Sequence, residues 1–317
     1  MNALDELRVR YIEEQPRYKQ LAEEVRARLE SETRAEGLNV RVEHRAKDVP
    51  SLVKKALAHG KSYQDIVDKA GVRVIYHYAW QGQRIEEIID SAFVVLKRED
   101  KAADRPPDQL GYLGVHYDVR FKDGDKSASK IELDRPTCEI QLHTRQENTW
   151  ADYSHELLYK APQDIPTGIR RDLYRLVALV ELYDREVNRV RDVILAQPGH
   201  AVARILDRLE RDFYRLAARE YDGELSRRIL DAVLPLYGDN VDATIEAFLN
   251  GAGSKLDQIY TMYVDDQRAS PLLFQPEALV LFDLLERSPT ALQEAFSDVA
   301  PVELLADLAT VWGTPLT

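Results

Sequence analysis

The chain has 317 residues, 44% hydrophobic and 31% charged, with a formal net charge of −12, enough to bury one large core or two modest ones but too acidic for a general nucleic-acid coat, so DNA is not an expected partner. Its single cysteine, Cys138, excludes an intrachain disulfide and argues against a cysteine metal site. No run approaches the roughly 18 consecutive apolar residues of a membrane span, and the charged start, Met1 to Arg10, does not read as a secretion signal, so a cytoplasmic protein without a membrane partner is expected.

Residues 3–34 are rich in Glu, Arg, Leu and Ala, a surface-helix composition that Pro16 should break or kink. Residues 38–45 alternate like a strand. Asp48 offers an N-cap and Pro50 a first-turn residue for a helix running to about His59. The pattern Arg45-x-Lys47-x-x-x-Ser51-x-x-x-Lys55 therefore straddles a strand end and a helix start. Ser51 and Lys55 share a helix face, and cations gathered at a helix N-terminus favour a triphosphate; the other reading of this stretch is a solvated basic helix. Residues 63–69 predict a short helix with Gly71 as its C-cap, and residues 72–78 a buried strand. Asp68 then precedes a core strand, as a site residue or a surface cap, with Arg73 at the strand's beginning.

Residues 85–91 predict a helix, residues 92–96 a strand, and residues 97–109, polar and proline-bearing, a mobile loop. Residues 111–121 predict another strand with Tyr112, Gly114 and His116 on one face, fit to stack a base or simply to pack. A hairpin loop at residues 122–130 leads back towards Glu139. Residues 136–144 alternate, with Cys138, Ile140 and Leu142 on a buried face and Glu139, Gln141 and His143 in a row on the other. The spacing then turns helical through residues 146–160, with Trp150, Leu157 and Leu158 available to bury. By themselves this strand and helix also read as a sheet edge with a solvated face. Further helical spacing follows at residues 167–196, 203–220, 224–237, 241–249, 276–286 and 301–311.

In order and spacing, four of these segments resemble the RelA/SpoT-type alarmone synthetase domain: Arg45-x-Lys47-x-x-x-Ser51-x-x-x-Lys55, Asp68-x-x-Gly71-x-Arg73, Gly111-Tyr112-x-x-x-His116 and Glu139-x-Gln141-x-x-Thr144, followed by the helix of residues 146–160. The resemblance spans about residues 40–160. It implies an α/β (α+β) fold, a nucleotidyltransferase-like mixed sheet flanked by helices, followed here by an all-helical C-terminal region. The expected division is 1–198 (core about 38–160) and 199–317.

The resemblance also implies a Mg²⁺-dependent GTP diphosphokinase that transfers the β,γ-diphosphate of ATP to the ribose 3′-hydroxyl of GDP or GTP and releases AMP. At the matching positions Asp68 and Glu139 would be catalytic and would hold Mg²⁺, which takes oxygen ligands; Glu139 would also accept the hydroxyl proton. Arg45 would stack on adenine, and Lys47, Ser51, Lys55 and Arg73 would hold the ATP phosphates. Tyr112 would stack on the acceptor base, with His116, Gln141 and His143 around the acceptor nucleotide.

Several positions depart from the family pattern. The family often has Arg where His143 stands, so a permanent charge is missing, and Arg145 would share that face if the strand continued. It commonly has Ser where Gly114 stands. Its long members carry Lys-x-Asn where Asp108 and Leu110 stand, and an asparagine that could read guanine is thereby lost. Two alternatives therefore stay open. One is a toxin-like pyrophosphokinase acting on adenine nucleotides or the tRNA 3′ end, with Lys97, Arg98, Lys101 and Arg105 as a local patch for RNA. The other is a degenerate nucleotide-binding regulator. No His-Asp doublet is present and no room precedes residue 40 for the family's hydrolase domain, so a synthetase-only member is implied. The helical region is expected to cap the synthetase, to mediate a homo-oligomer, or to act as a sensory or antitoxin-like module.

Overall fold

The computed structural model describes residues 3–101, 114–159, 166–197, 200–263, 265–266, 269–314 and 316. The chain divides into two compact units, Met1–Thr33 with Val40–Arg189, and Arg34–Asn39 with Val190–Thr317.

The first unit opens with α1 (Ala3–Ala35), which continues as one helix past Pro16, so of the break or kink expected there the break does not occur. An interior proline removes one helical hydrogen bond, but tertiary contacts on both sides outweigh that loss. Tyr11, Tyr18, Leu21, Val25 and Leu29 are all buried, and Tyr11 Oη and Gln15 Nε2 donate to the Lys47 carbonyl at 2.6 and 2.9 Å. β1 (Arg41–Ala46) leads into α2 (Val49–His59). Asp48 caps α2 by accepting from the Ser51 N–H at 2.8 Å, and Gly60 ends it at φ 59°, as a left-handed C-cap requires.

Residues 63–69 form turns, not the predicted helix, and Gly71 lies inside β2 (Ala70–Tyr76) and caps nothing. Seven residues are too few to repay helix nucleation, and the segment is pinned instead by buried Ile66, whose carbonyl accepts from Lys69 Nζ at 2.5 Å. After α3 (Ala79–Ala92) comes β3 (Phe93–Asp100). It extends beyond the predicted Leu96 because Lys97 to Asp100 pair with β4 (Val115–Phe121) across a bulge at Val95/Lys97. Most of the predicted loop at 97–109, and Tyr112, lie outside the described residues. β5 (Cys138–Thr144) passes directly into α4 (Arg145–Tyr159). The switch is a capping box: Thr144 N–H donates to Glu147 Oε2 at 2.8 Å and Glu147 N–H donates to Thr144 Oγ1 at 3.1 Å. Trp150 is buried in α4 as expected, whereas Leu157 is exposed. α5 (Thr167–Ala196) follows.

The five strands form one mixed sheet in the order β1-β2-β5-β4-β3, with β2 and β5 parallel and the other pairs antiparallel. Val72, Ile140 and Tyr117 align across it and are buried on one face, so the alternate residues of the same strands point to the other.

Among its described residues the second unit is entirely helical: α6 (Ala201–Ala217), α7 (Gly223–Val233), α8 (Val241–Tyr263), α9 (Ala278–Arg287), α10 (Pro289–Ser297) and α11 (Val302–Trp312). α8 continues past the predicted Leu249 because Gly251 and Gly253 are carried inside it. α10, opened by Pro289 in its first turn, is not foreseen from the spacing. α9 is buried from Ala278 to Leu285, the mark of a helix enclosed by its neighbours. No helix among the described residues is long and apolar enough to cross a membrane.

Candidate active site

Strand register builds the site. Opposite the buried face, Arg45, Gly71, Glu139 and Asp118 align in one row across β1, β2, β5 and β4, and Glu43, Arg73, Gln141 and His116 align in the next. Gly71 contributes no side chain, which leaves the floor open between Arg45 and Glu139. Asp68 enters from the turn before β2, Lys47 from the connection after β1, and Lys55 from α2.

Asp68 Oδ2 accepts from Lys47 Nζ and Lys55 Nζ, each at 2.7 Å, while its Oδ1 is buried without a hydrogen-bond partner. Burial works to raise the Asp68 pKa, but the hydrogen bonds and charges of the two lysines outweigh it and hold the carboxyl below its usual range. Glu139 shows the same balance. Burial pushes it up, His116 and Gln141 pull it down, and the net direction is down. His116 Nδ1 lies 3.3 Å from Glu139 Oε1, and Gln141 Nε2 donates to Oε2 at 2.6 Å. Asp118, directly opposite Glu139 in register, is pushed up by burial and by the Glu139 charge. Arg73 donates from Nη1 to Asn148 Oδ1 at 2.9 Å and to Asp152 Oδ1 at 3.0 Å, so α4 holds it at the cleft wall.

His143 is completely buried and stands edge-on to His116, ring centroids 6.2 Å apart. Burial, then the Arg73 charge, push its pKa down to about 3, so the ring is neutral at ordinary pH. Gly114 is the reason it fits. At φ 104°, a Cβ on Gly114 would fall 2.4 Å from His143 Cε1 and 2.8 Å from the Leu142 carbonyl oxygen. The glycine at 114 and the histidine at 143, two separate departures in the sequence, form one steric arrangement.

Residues 44–164 match the family described as the region found in RelA/SpoT proteins. This chain carries a RelA/SpoT domain. The matched stretch lies within a few residues of the one on which the resemblance rests. Similar solved structures include small alarmone synthetase 1 from Bacillus subtilis, with 23% identity and a TM-score of 0.51 over 59% of this chain and 99% of that one. Another is a GTP pyrophosphokinase family protein from Streptococcus pneumoniae, with 23% identity and a TM-score of 0.49 over 58% of this chain and 94% of that one. At that identity the first likeness establishes the fold. No curated protein sequence matches the chain.

Of the residues singled out in the sequence, the RelA/SpoT domain brings Arg45, Lys47, Asp68, Arg73, Glu139 and Gln141 around one cleft. Lys55 joins through Asp68 and His116 through Glu139. Ser51 sits exposed in the first turn of α2, its N–H tied to Asp48. Tyr112 lies outside the described residues. His143 needs correction: expected beside the acceptor, it has no exposed surface with which to touch one. Arg145 does not replace the missing cation on the strand face, because it opens α4 instead of continuing β5.

Asn148, Asp152 and Asp118 escape the sequence reading. Asp118 had a signal, since alternation from His116 puts it on the cleft face; the α4 residues that hold Arg73 had none, because their partner lies 75 and 79 positions away. Among the described residues no group of three or more His, Cys, Asp or Glu could cage a metal. Asp68 and Glu139 could hold a hard cation that completes its shell with water and phosphate oxygens, and the unspent Asp68 Oδ1 fits that use.

Proposed function

We propose that the RelA/SpoT domain is a pyrophosphokinase that moves the β,γ-diphosphate of ATP to the 3′-hydroxyl of GDP or GTP, releasing AMP, in the cytoplasm. The observation that carries this reading is the Asp68 carboxylate held by Lys47 and Lys55 in the cleft that also contains Glu139, Arg45 and Arg73. A triphosphate needs such a cationic wall.

In this reading Lys47 and Lys55 turn part of their contact from Asp68 to phosphate oxygens, and Arg73 turns from Asp152 in the same way. Arg45, exposed at the cleft edge, lies against adenine, and Ser51 contributes from the start of α2. Asp68 and Glu139 would hold Mg²⁺, which would neutralise charge on the transferred group. Glu139, kept ionised and aimed by His116 and Gln141, takes the proton of the 3′-hydroxyl as its oxygen attacks the β-phosphorus. The bond from that phosphorus to the oxygen bridging the α-phosphate breaks, and this oxygen leaves with AMP. Gln141 and His116 orient the acceptor ribose, and Tyr112 is assigned to the acceptor base from the resemblance alone. Positioning and charge neutralisation supply most of the rate.

An adenine-nucleotide acceptor is the second reading, supported by Leu110 where an asparagine could read guanine. A tRNA acceptor is less well supported, because Lys97, Arg98 and Lys101 are already paired with Glu99, Glu86 and Glu99.

The test is incubation of the purified protein with labelled ATP, Mg²⁺ and, separately, GDP, GTP, AMP, ADP or deacylated tRNA. Label on GDP or GTP with AMP release supports the proposal, and label only on an adenine nucleotide or tRNA replaces it. Bound ATP without transfer to any acceptor would mark a binding module. Glu139→Gln should lower transfer about 10³-fold with much less effect on ATP affinity, and unchanged AMP release would refute its role as base.

A further inference from the structure

β4 puts a second charged side chain on the cleft face of the sheet. Tyr117, Val119 and Phe121 are buried on one side of this strand, so Asp118 and Arg120 turn to the other. Asp118 stands opposite Glu139, and Val119 opposite Cys138. Carried one residue further, the register of the sheet sets Lys47, Lys69, Thr137 and Arg120 in one row, and the Lys47 N–H indeed donates to the Lys69 carbonyl at 2.9 Å. The backbones of Lys47 and Arg120 are thus three strand spacings apart, about 14 Å, with β2 and β5 between them.

Among the described residues Arg120 has no ion-pair or hydrogen-bond partner, and its Nε is shielded from solvent. Arg26, Arg28 and Arg73 are also half-buried, yet each is paired with a carboxylate. A guanidinium keeps its charge at any ordinary pH, and a shielded N–H without an acceptor costs stability. Packing around Nε leaves the two Nη groups as the open part of the side chain, a fork held in place before any ligand arrives. Such a fork matches two oxygens of one phosphate.

We infer that Arg120 binds the terminal phosphate of ATP, from the side of the cleft opposite Lys47 and Lys55. The inference rests on the assignment of this cleft to ATP made above. With adenine against Arg45 on β1, and with the β-phosphorus brought to the acceptor hydroxyl beside Glu139 on β5, the donor crosses the sheet in the order of the strands. The γ-phosphate is then the part that reaches past Glu139 towards β4, where Arg120 waits. Arg120 holds part of the group that is transferred and none of the AMP that leaves.

Binding of ATP, ADP, AMP and GDP to the full chain, one at a time with Mg²⁺ and measured by isothermal titration calorimetry, tests this apart from turnover. Arg120→Gln should weaken ATP about tenfold or more, and the other three by less than about twofold. Arg120→Lys, which returns the charge without the fork, should recover only part of the loss; it carries the same test of ATP against ADP if the glutamine variant melts early. Undiminished ATP affinity in Arg120→Gln, or a loss shared equally by ATP, ADP and AMP in a variant of unchanged melting midpoint, overturns the assignment. A loss confined to GDP also overturns it, because Arg120 would then belong to the acceptor. A wild type that does not bind ATP overturns it together with the donor reading. Selective loss of ATP affinity in a protein that transfers nothing to any acceptor upholds Arg120 and refutes the pyrophosphokinase alone.

Discussion

The two units use their interiors differently. In the second unit α9 is enclosed by apolar neighbours, and Phe282 stacks on Trp312 at 4.4 Å. The polar atoms around that pair are matched locally: Lys255 lies over the Trp312 ring at 3.5 Å, and Trp312 Nε1 donates to Glu286 at 2.8 Å. In the first unit a sheet with one apolar face carries Glu139, Gln141 and His116 on the other, and Asp68, Lys47 and Lys55 reach that face from the segments beside it. There burial pushes the pKa values of Asp68 and Glu139 up, and Lys47 and Lys55 for the one, His116 and Gln141 for the other, outweigh it. One interior is built for cohesion; the other keeps charge in a partly dry cleft, where a charged substrate gains most from fixed partners.

The contrast is broken most severely by Phe282→Ala. It should cost the second unit about 4 kcal/mol, read by urea unfolding, and a loss below about 1 kcal/mol would mean that its core is loosely packed. In the first unit Gly114→Ala combines left-handed strain with the collision against His143 and should cost about 2–3 kcal/mol. His143→Ala in the same chain should return the steric part, and strict additivity of the two changes would refute the contact.

A smaller effect sharpens the comparison from the other side. Glu277 has no exposed surface, and burial pushes its pKa from 4.5 to about 7, with the Ser226 hydrogen bond pulling against this. A carboxyl with a raised folded-state pKa stabilises the fold through its protonated form. Its contribution is complete below pH 4.5 and is lost as pH rises through about 7. Glu277→Gln should therefore flatten the decline in melting temperature between about pH 5 and 8 and add about 1–2 kcal/mol at the upper end; an unchanged slope would remove Glu277 as its source. The smallest change is Asp152→Ala. Its pair with Arg73 is largely exposed on the aspartate side, so ATP affinity should rise less than about fivefold, under 1 kcal/mol. A loss of affinity would show that Asp152 aids Arg73.

Much of the first unit was legible because it follows local rules. The Asp48 cap, the alternation around Glu139 and the spacing of Lys47 and Lys55 each depend on neighbours a few residues away. What the sequence hid is set by register and distant packing. The α4 clamp on Arg73, the opposition of Asp118 to Glu139 and the course of α1 through Pro16 all rest on partners from other elements. Alternation put His143 on the cleft face correctly, but only the approach of Gly114 shows that the ring is sealed beneath it.

That approach also constrains how the pair can change over generations or in redesign. A side chain added at 114 while the ring remains collides with it, whereas replacing the ring first removes that collision and leaves only the Leu142 carbonyl oxygen at 2.8 Å and the φ of 104° to oppose a later addition. The less costly order runs through position 143 before position 114, so glycine at 114 is held by its backbone even after the histidine is gone.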